Sequence, residues 1–194
     1  LDFLHSFRYP LAGEFALRRD VITDLRIPTD WGLEIGVLSE MHRNHSMNRI
    51  CQADIADWYD HKHQDLSAED ASHGLSKMSI DIAKAMYRKL AIQGQTFSLD
   101  KVRTVKATYY RVALDFVETF AADAAMNGLR YDRHSEEKAV ELFASNVVQA
   151  GVEFLDNPMD TPFIPPWNRV ISAMPDVHEL LRDAVDQDMQ EYSS

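Results

Sequence analysis

Residues 98–120 read SLDKVRTVKATYYRVALDFVETF, and they decide the fold class because apolar side chains recur in them at spacings of three and four. This spacing places those side chains on one face of an α-helix and predicts a long helix that begins at Ser98 and ends at Asn127-Gly128. We expect the apolar stripe to lie in the protein core. The stripe consists of Val102, Val105, Tyr109, Val112, Phe116 and Phe120.

The same reasoning predicts mostly helix elsewhere. Further long helices are expected from Ser67, at a sequence that resembles a capping box, to about Gln93, and over residues 136–154 and 175–189. We expect an apolar helix over residues 33–41 and a short helix over residues 16–25. Residues 50–59 are assigned to a strand, residues 1–14 to a strand or loop, and the proline-rich residues 158–166 to irregular structure. We expect one compact unit with a functional front (1–66) and a helical rear (67–194).

The composition is that of a globular protein and excludes several partners. Hydrophobic residues make up 45% of the 194 residues, and the formal net charge is −11. Nucleic acids and anionic membranes bind basic stripes, so this balance argues against both. The single Cys51 excludes an internal disulfide, which fits a reducing compartment. No apolar run reaches the roughly 20 residues of a membrane helix and no signal peptide is recognisable, so we expect a cytoplasmic protein.

Two histidines are candidate metal ligands. His61 and His63 follow the predicted strand at a spacing of two, which lets both side chains point to the same side of an extended loop. Imidazoles bind divalent metals when neutral, and the neighbouring Asp60 would suit a harder cation such as Mg²⁺. A solvated loop explains the same spacing, and both interpretations stay open. Asp186 and Asp188 also have a metal-binding spacing, but they lie in an acidic helical tail and are interpreted as surface residues.

A carboxylate in a glycine-containing motif is a candidate catalytic group. Glu34 lies in the first turn of the apolar helix, between Gly32 and Gly36. Its charge would complement the helix dipole, which explains its position without any function. Its apolar neighbours and the two glycines, which allow a partner backbone or a ligand to approach, favour a functional role. Gly13-Glu14 is either a plain turn or a loop whose amides meet an anion.

Taken in order, these segments resemble the glucosyl-3-phosphoglycerate synthase family, which are retaining glycosyltransferases of the GT-A type. The family pattern is Pro-Leu-small-Gly-Glu-aromatic-Ala, then aromatic-Gly-aliphatic-Glu-Ile-Gly, then a His with a Leu five residues on. The chain carries these motifs at residues 10–16, 31–36 and 61–66, with Arg18-Arg19 between the first two. The likeness covers about residues 5–95, and the later segments match only in being helical.

The resemblance implies an α/β, helix-dominated fold that corresponds to the carboxyl-terminal part of a GT-A fold, with a few strands followed by long helices. It implies glucose transfer with retention from a nucleotide sugar, UDP-glucose, to 3-phosphoglycerate. Glu34 would be the catalytic residue, and His61 would bind a divalent metal, Mg²⁺ or Mn²⁺, that bridges the diphosphate. His63 would contact the acceptor. The donor would be bordered by Leu11, Ala12, Gly13 and Trp31.

The resemblance also implies a homodimer formed by the helices after residue 67. The family's nucleotide-binding half would precede residue 1, so we expect a carboxyl-terminal portion that is inactive alone. Two other functions stay open, namely another sugar transferase of this fold, of mannosyl or glucosylglycerate type, and a helical interaction module without catalysis. In a transferase, His61 and Glu34 face one cleft within roughly 10–12 Å, whereas in a module both point to solvent, far apart.

Overall fold

The computed structural model describes residues 2–56, 66, 74–160 and 164–192. Within these ranges the protein is dominated by helices, as predicted. Short 3₁₀ helices lie at Asp2–Ser6 and Met47–Arg49. The α-helices are α1 (Arg19–Ile22), α2 (Leu33–Asn44), α3 (Gly74–Ile92), α4 (Leu99–Met126), α5 (Arg133–Asp156), α6 (Trp167–Ala173) and α7 (Val177–Tyr192).

The ends of the long helices follow from local chemistry. The Ser98 hydroxyl accepts a hydrogen bond from a backbone amide of the first turn of α4 at 3.3 Å, and the Asp132 carboxylate caps α5 in the same way at 3.1 Å. Gly94 and Gly128 follow α3 and α4 with φ of 88° and 67°, a conformation that costs glycine least. The predicted boundaries near residues 93, 98 and 127 are therefore confirmed.

Helices α3, α4 and α5 form the main core. Tyr87 of α3, Val102 of α4 and Phe154 of α5 are buried together with Ile80 and Ala150. A Cβ atom on Gly151 would lie 2.5 Å from Val102 Cγ1, so α4 and α5 approach closely only because residue 151 is glycine. The Tyr87 hydroxyl donates to the Val147 carbonyl at 3.1 Å, and burial raises the pKa of Tyr87 to about 12.

Helix α2 is attached to this core through α3 by a buried ion pair. Lys89 Nζ lies 2.9 Å from Glu40 Oε1, and the two side chains are only 5% and 7% exposed. On its other side α2 contributes Val37 and Met41 to a second apolar cluster, which includes Leu25. The helix that carries Glu34 is therefore fixed between two packed surfaces.

The front of the chain also contacts the segment that follows α5. The Ile164 amide donates to the Ile27 carbonyl at 2.8 Å, and the Asn168 amide donates to the Thr23 carbonyl at 3.2 Å. The Asn168 side chain adds a hydrogen bond to Asp24. These bonds hold α6, which sequence analysis did not predict, against residues 23–27.

The strand predicted over residues 50–59 is wrong for residues 50–56, the part that the structure describes. These residues form no regular structure, and Ile55 is 70% exposed. Polar contacts hold the segment instead, because Gln52 accepts a hydrogen bond from the Arg8 amide at 2.8 Å and Asp54 pairs with the Arg8 side chain at 2.9 Å. In the described part of the chain, β pairing is limited to the isolated bridge between Ile27 and Ile164. The GT-A fold and the division at residue 66 stay predictions.

Two helical expectations also need correction. The helix predicted over residues 16–25 is reduced to the four residues of α1. Arg18 has an extended backbone, and the chain after Ile22 forms turns in which an amide bonds to the carbonyl three residues earlier. The apolar stripe of α4 is not wholly core. Val102 is fully buried, but Phe116 and Phe120 are each 54% exposed. Their rings stack on each other at 5.8 Å, since α5 covers only the adjoining side of α4.

We expect the loss of one member of the buried Glu40–Lys89 pair to destabilise the protein strongly. Lys89→Met leaves a buried carboxylate without its main counter-charge and should lower the free energy of unfolding by about 3 kcal/mol. The double variant Glu40→Leu/Lys89→Met removes both charges and should recover most of this loss. Urea denaturation measures both values. The matched control is Arg111→Met, in an exposed pair with Asp115, which should cost less than about 1 kcal/mol. Equal losses at Lys89 and Arg111 would contradict the expectation.

Candidate functional site

The loop predicted to border the donor is an exposed turn. The Ala12 amide donates to the Tyr9 carbonyl at 3.2 Å, which closes the turn. Leu11 and Ala12 are half-buried and Gly13 is exposed. A Cβ atom on Gly13 would meet no atom within 4 Å, so the space beside this residue is open. The loop can therefore be approached by a ligand.

The second motif forms the amino end of α2. Trp31 is 46% exposed, and Glu34 is half-buried in the first turn. Asp30 accepts a hydrogen bond from the Gly32 amide at 2.9 Å, which satisfies one of the free amides at this helix end. The Glu34 carboxylate forms no hydrogen bond or ion pair with a described residue. Its carboxylate is thus positioned by a packed helix and has no structural partner there.

The two glycines of this motif are required by packing within the protein. A Cβ atom on Gly32 would lie 2.4 Å from Ala85 Cβ of α3, and one on Gly36 would lie 2.3 Å from Pro28 Cγ. The space beside these glycines is therefore occupied by side chains of the protein, namely Ala85 of α3 and Pro28 of the preceding loop, and not by a ligand.

The predicted metal and acceptor ligands, His61 and His63, lie outside the described residues. The separation between His61 and Glu34, which distinguishes a transferase from an interaction module, therefore stays a prediction. In the ranges that the structure describes, no three or more His, Cys, Asp or Glu side chains are grouped closely enough to hold a metal ion.

Sequence analysis did not identify a groove between α1 and α7. It has a volume of about 550 Å³ and is lined by Arg19, His178, Leu181, Arg182, Val185 and Asp186. A smaller cavity of about 320 Å³ lies between α4 and α5, among charged side chains such as Arg111 and Glu137. Neither contains Glu34 or the loop at residues 11–13. Two sequence features belong to the first groove, namely the Arg18-Arg19 pair, which was given no role, and Asp186, which was interpreted as a surface residue.

None of the described helices is both long and apolar enough to cross a membrane. The cytoplasmic localisation stays a prediction.

We expect Gly36→Ala to destabilise the protein by about 1–2 kcal/mol, because the added methyl group collides with the rigid Pro28 ring and this cost exceeds the gain of about 1 kcal/mol in helix propensity. The control is Gly13→Ala, where the added atom enters open space, and it should change stability by less than about 0.5 kcal/mol. Thermal denaturation compares the two. If Gly36→Ala is as stable as Gly13→Ala, the packing role of this motif is wrong.

The chain is similar to two curated proteins over nearly all of its residues. It is 44% identical over 188 residues to glucosyl-3-phosphoglycerate synthase of Persephonella marina, an alignment that covers 97% of this chain and 46% of that protein. It is 40% identical over 193 residues to the protein of the same name from Methanococcoides burtonii, and this alignment covers 99% of this chain and 47% of that protein. No family model and no solved structure matches. The chain thus spans about half the length of these curated relatives, and its resemblance to the glucosyl-3-phosphoglycerate synthase family is confirmed. The expectation that the likeness is limited to about residues 5–95 is wrong, because the alignments cover 97–99% of the chain.

Proposed function

We propose that this chain is part of a sugar transferase that moves glucose from UDP-glucose to 3-phosphoglycerate with retention of configuration. The observation that carries the proposal is the similarity, at 40–44% identity and over nearly the whole chain, to two proteins named for this product. The relatives are about twice as long, so we propose the activity for the longer protein. We propose that residues 1–66 belong to the carboxyl-terminal part of a GT-A catalytic core, and that this chain alone is inactive.

Glu34 is the proposed catalytic residue. Its carboxylate is half-buried, lies on a helix fixed by α3, and makes no ion pair among the described residues. A carboxylate in this position would orient the acceptor hydroxyl or stabilise positive charge that develops on the sugar ring. We do not assign it a covalent bond to the sugar, because retention can also follow a front-face route. Rigid placement matters, because small displacements of reacting groups reduce rates strongly.

The donor and acceptor contacts are proposed from the same segment. The open space beside Gly13 and the exposed Trp31 ring would accommodate the donor, with Leu11 and Ala12 at its border. His63 would contact the acceptor. His61 would bind Mg²⁺ or Mn²⁺. A bound divalent cation neutralises charge on a departing diphosphate, and the role of this chain would be to hold one of the ligands.

A homodimer is proposed through the exposed stripe of α4. Val105, Val112, Phe116 and Phe120 are 38–54% exposed on one helix face. Two half-exposed phenylalanines in one stripe are unusual on a monomer surface, and such patches mark interaction sites. A second copy would cover this stripe with its own, as in isologous interfaces of symmetric dimers.

Glu34→Gln should lower kcat by about 10²-fold, with a smaller effect on KM for the acceptor, because only the charge acting on the reacting atoms is removed. The assay follows sugar transfer to 3-phosphoglycerate by the full-length protein. The matched control is Glu136→Gln, since Glu136 occupies the first turn of α5 and also complements a helix dipole. If both variants keep full turnover, Glu34 has no role in the reaction and only complements the dipole of α2.

His61→Ala should weaken metal-dependent activity while the fold is retained. The Mg²⁺ or Mn²⁺ concentration needed for half-maximal activity should rise by roughly tenfold or more, because one ligand is lost. The control is His134→Ala, an exposed histidine at the start of α5. A metal titration of activity, with circular dichroism to check the fold, measures the effect. An unchanged metal requirement would remove His61 from the metal site.

Phe116→Arg should convert the dimer to a monomer in light-scattering measurements, because it places a charge in the centre of the apolar stripe. Ala107→Arg is the control. Ala107 is exposed on the opposite side of α4, so a charge there should leave the mass unchanged. A wild-type protein that is monomeric at all concentrations, or a dimer that tolerates Phe116→Arg, would contradict the proposed interface.

A further inference from the structure

We propose that the groove between α1 and α7 is a binding site for a small organic anion, of the class that joins a phosphate group to an apolar body. The groove has a volume of about 550 Å³, which lies within the usual range for small-molecule sites. It contains neither Glu34 nor the loop at residues 11–13, so the site is separate from the proposed catalytic residues.

The groove is assembled from segments that are distant in sequence. Arg19 comes from α1, and the remaining lining residues come from α7. The two helices are brought together because the Asn168 amide of α6 donates to the Thr23 carbonyl just after α1. The His178 ring stacks on the Trp167 ring of α6 at 5.6 Å, which fixes its position at the start of α7. Contacts of α6 therefore hold both the α1 side and the α7 side of the groove in place.

The adjacent arginines Arg18 and Arg19 have different surroundings. The Arg18 guanidinium donates two hydrogen bonds to the Asp20 carboxylate, at 3.0 and 2.8 Å. These bonds, and the charge of Asp20, raise the pKa of Arg18. Arg19 lines the groove and forms no ion pair among the described residues. Arg18 is thus neutralised locally, and Arg19 keeps its guanidinium available for a ligand.

The groove supplies a second guanidinium and an apolar floor. Arg182 uses Nε to donate to the His178 carbonyl at 3.3 Å, and its terminal nitrogens form no hydrogen bond with a described residue. Two guanidinium groups suit a phosphate, which each can bind with paired hydrogen bonds. Leu181 and Val185, which are 46% and 56% exposed, would contact the apolar body of the ligand. One carboxylate, that of Asp186, opposes an anion there.

The test uses phenyl phosphate as the probe and isothermal titration calorimetry on the 194-residue chain. Wild-type protein should bind it saturably, and the double variant Arg19→Gln/Arg182→Gln should raise Kd by roughly tenfold or more, because charge-assisted hydrogen bonds to the phosphate are lost. Arg18→Gln is the matched control, one residue away, and should leave Kd unchanged. Asp186→Asn should lower Kd several-fold, because it removes the opposing charge. Benzyl alcohol, which keeps the aromatic ring but carries no charged group, should not bind.

Three results would overturn the proposal. The first is the absence of saturable binding by the wild type at millimolar phenyl phosphate. The second is equal loss of binding in Arg18→Gln and in the double variant, which would indicate a diffuse charge effect. The third is unchanged binding in the double variant, which would place the probe elsewhere, for example at the catalytic site. Circular dichroism of each variant checks that the fold is retained.

Discussion

The contact between α2 and α3 positions the candidate catalytic residue. Ala85 approaches the amino end of α2 so closely that residue 32 has to be glycine, and the buried pair of Glu40 and Lys89 holds the other end of the helix. A buried charge is costly unless its partner stays in place, so this pair restricts α2 to one position. Glu34 lies between these two contacts along the helix, and its placement therefore depends on α3, which belongs to the helical rear of the chain.

Much of the helical part of the fold could be predicted from the sequence because its signals are local. Ser98, Gly94 and Gly128 act on backbone groups a few residues away, and the structure places each where its chemistry predicts. The strand predicted over residues 50–59 is wrong in its described part because a strand needs a partner, and apolar residues such as Ile50 and Ile55 do not reveal whether one exists. The stripe of α4 shows the same limit. Helical spacing indicates an apolar face, but not whether another element covers it.

The candidate site was predictable to a smaller extent. The motifs indicated Glu34 and Gly13, and the structure places them on a fixed helix and beside open space. The reason for Gly32 and Gly36 could not be read from the motif, because their partners are Ala85, about fifty residues later, and Pro28, in a loop. The groove was missed for the same reason, since Arg19 and Arg182 are far apart in sequence and line one groove because α6 packs against residues 23–27.

Net charge is a poor guide to the local electrostatics of this chain. The overall charge of −11 argues against basic stripes, and the structure shows how the lysines of α3 are used. Lys77 pairs with Asp81 at 2.7 Å, Lys89 pairs with Glu40, and Lys84 pairs with Glu153 and Asp160 at 3.0 and 3.2 Å. Desolvation acts to lower the pKa of Lys84, but these two carboxylates outweigh it and raise the pKa. These three lysines are therefore paired with carboxylates of the protein itself. An anion would instead be attracted to cations without such partners, which is why the two guanidinium groups in the α1–α7 groove matter in an acidic protein.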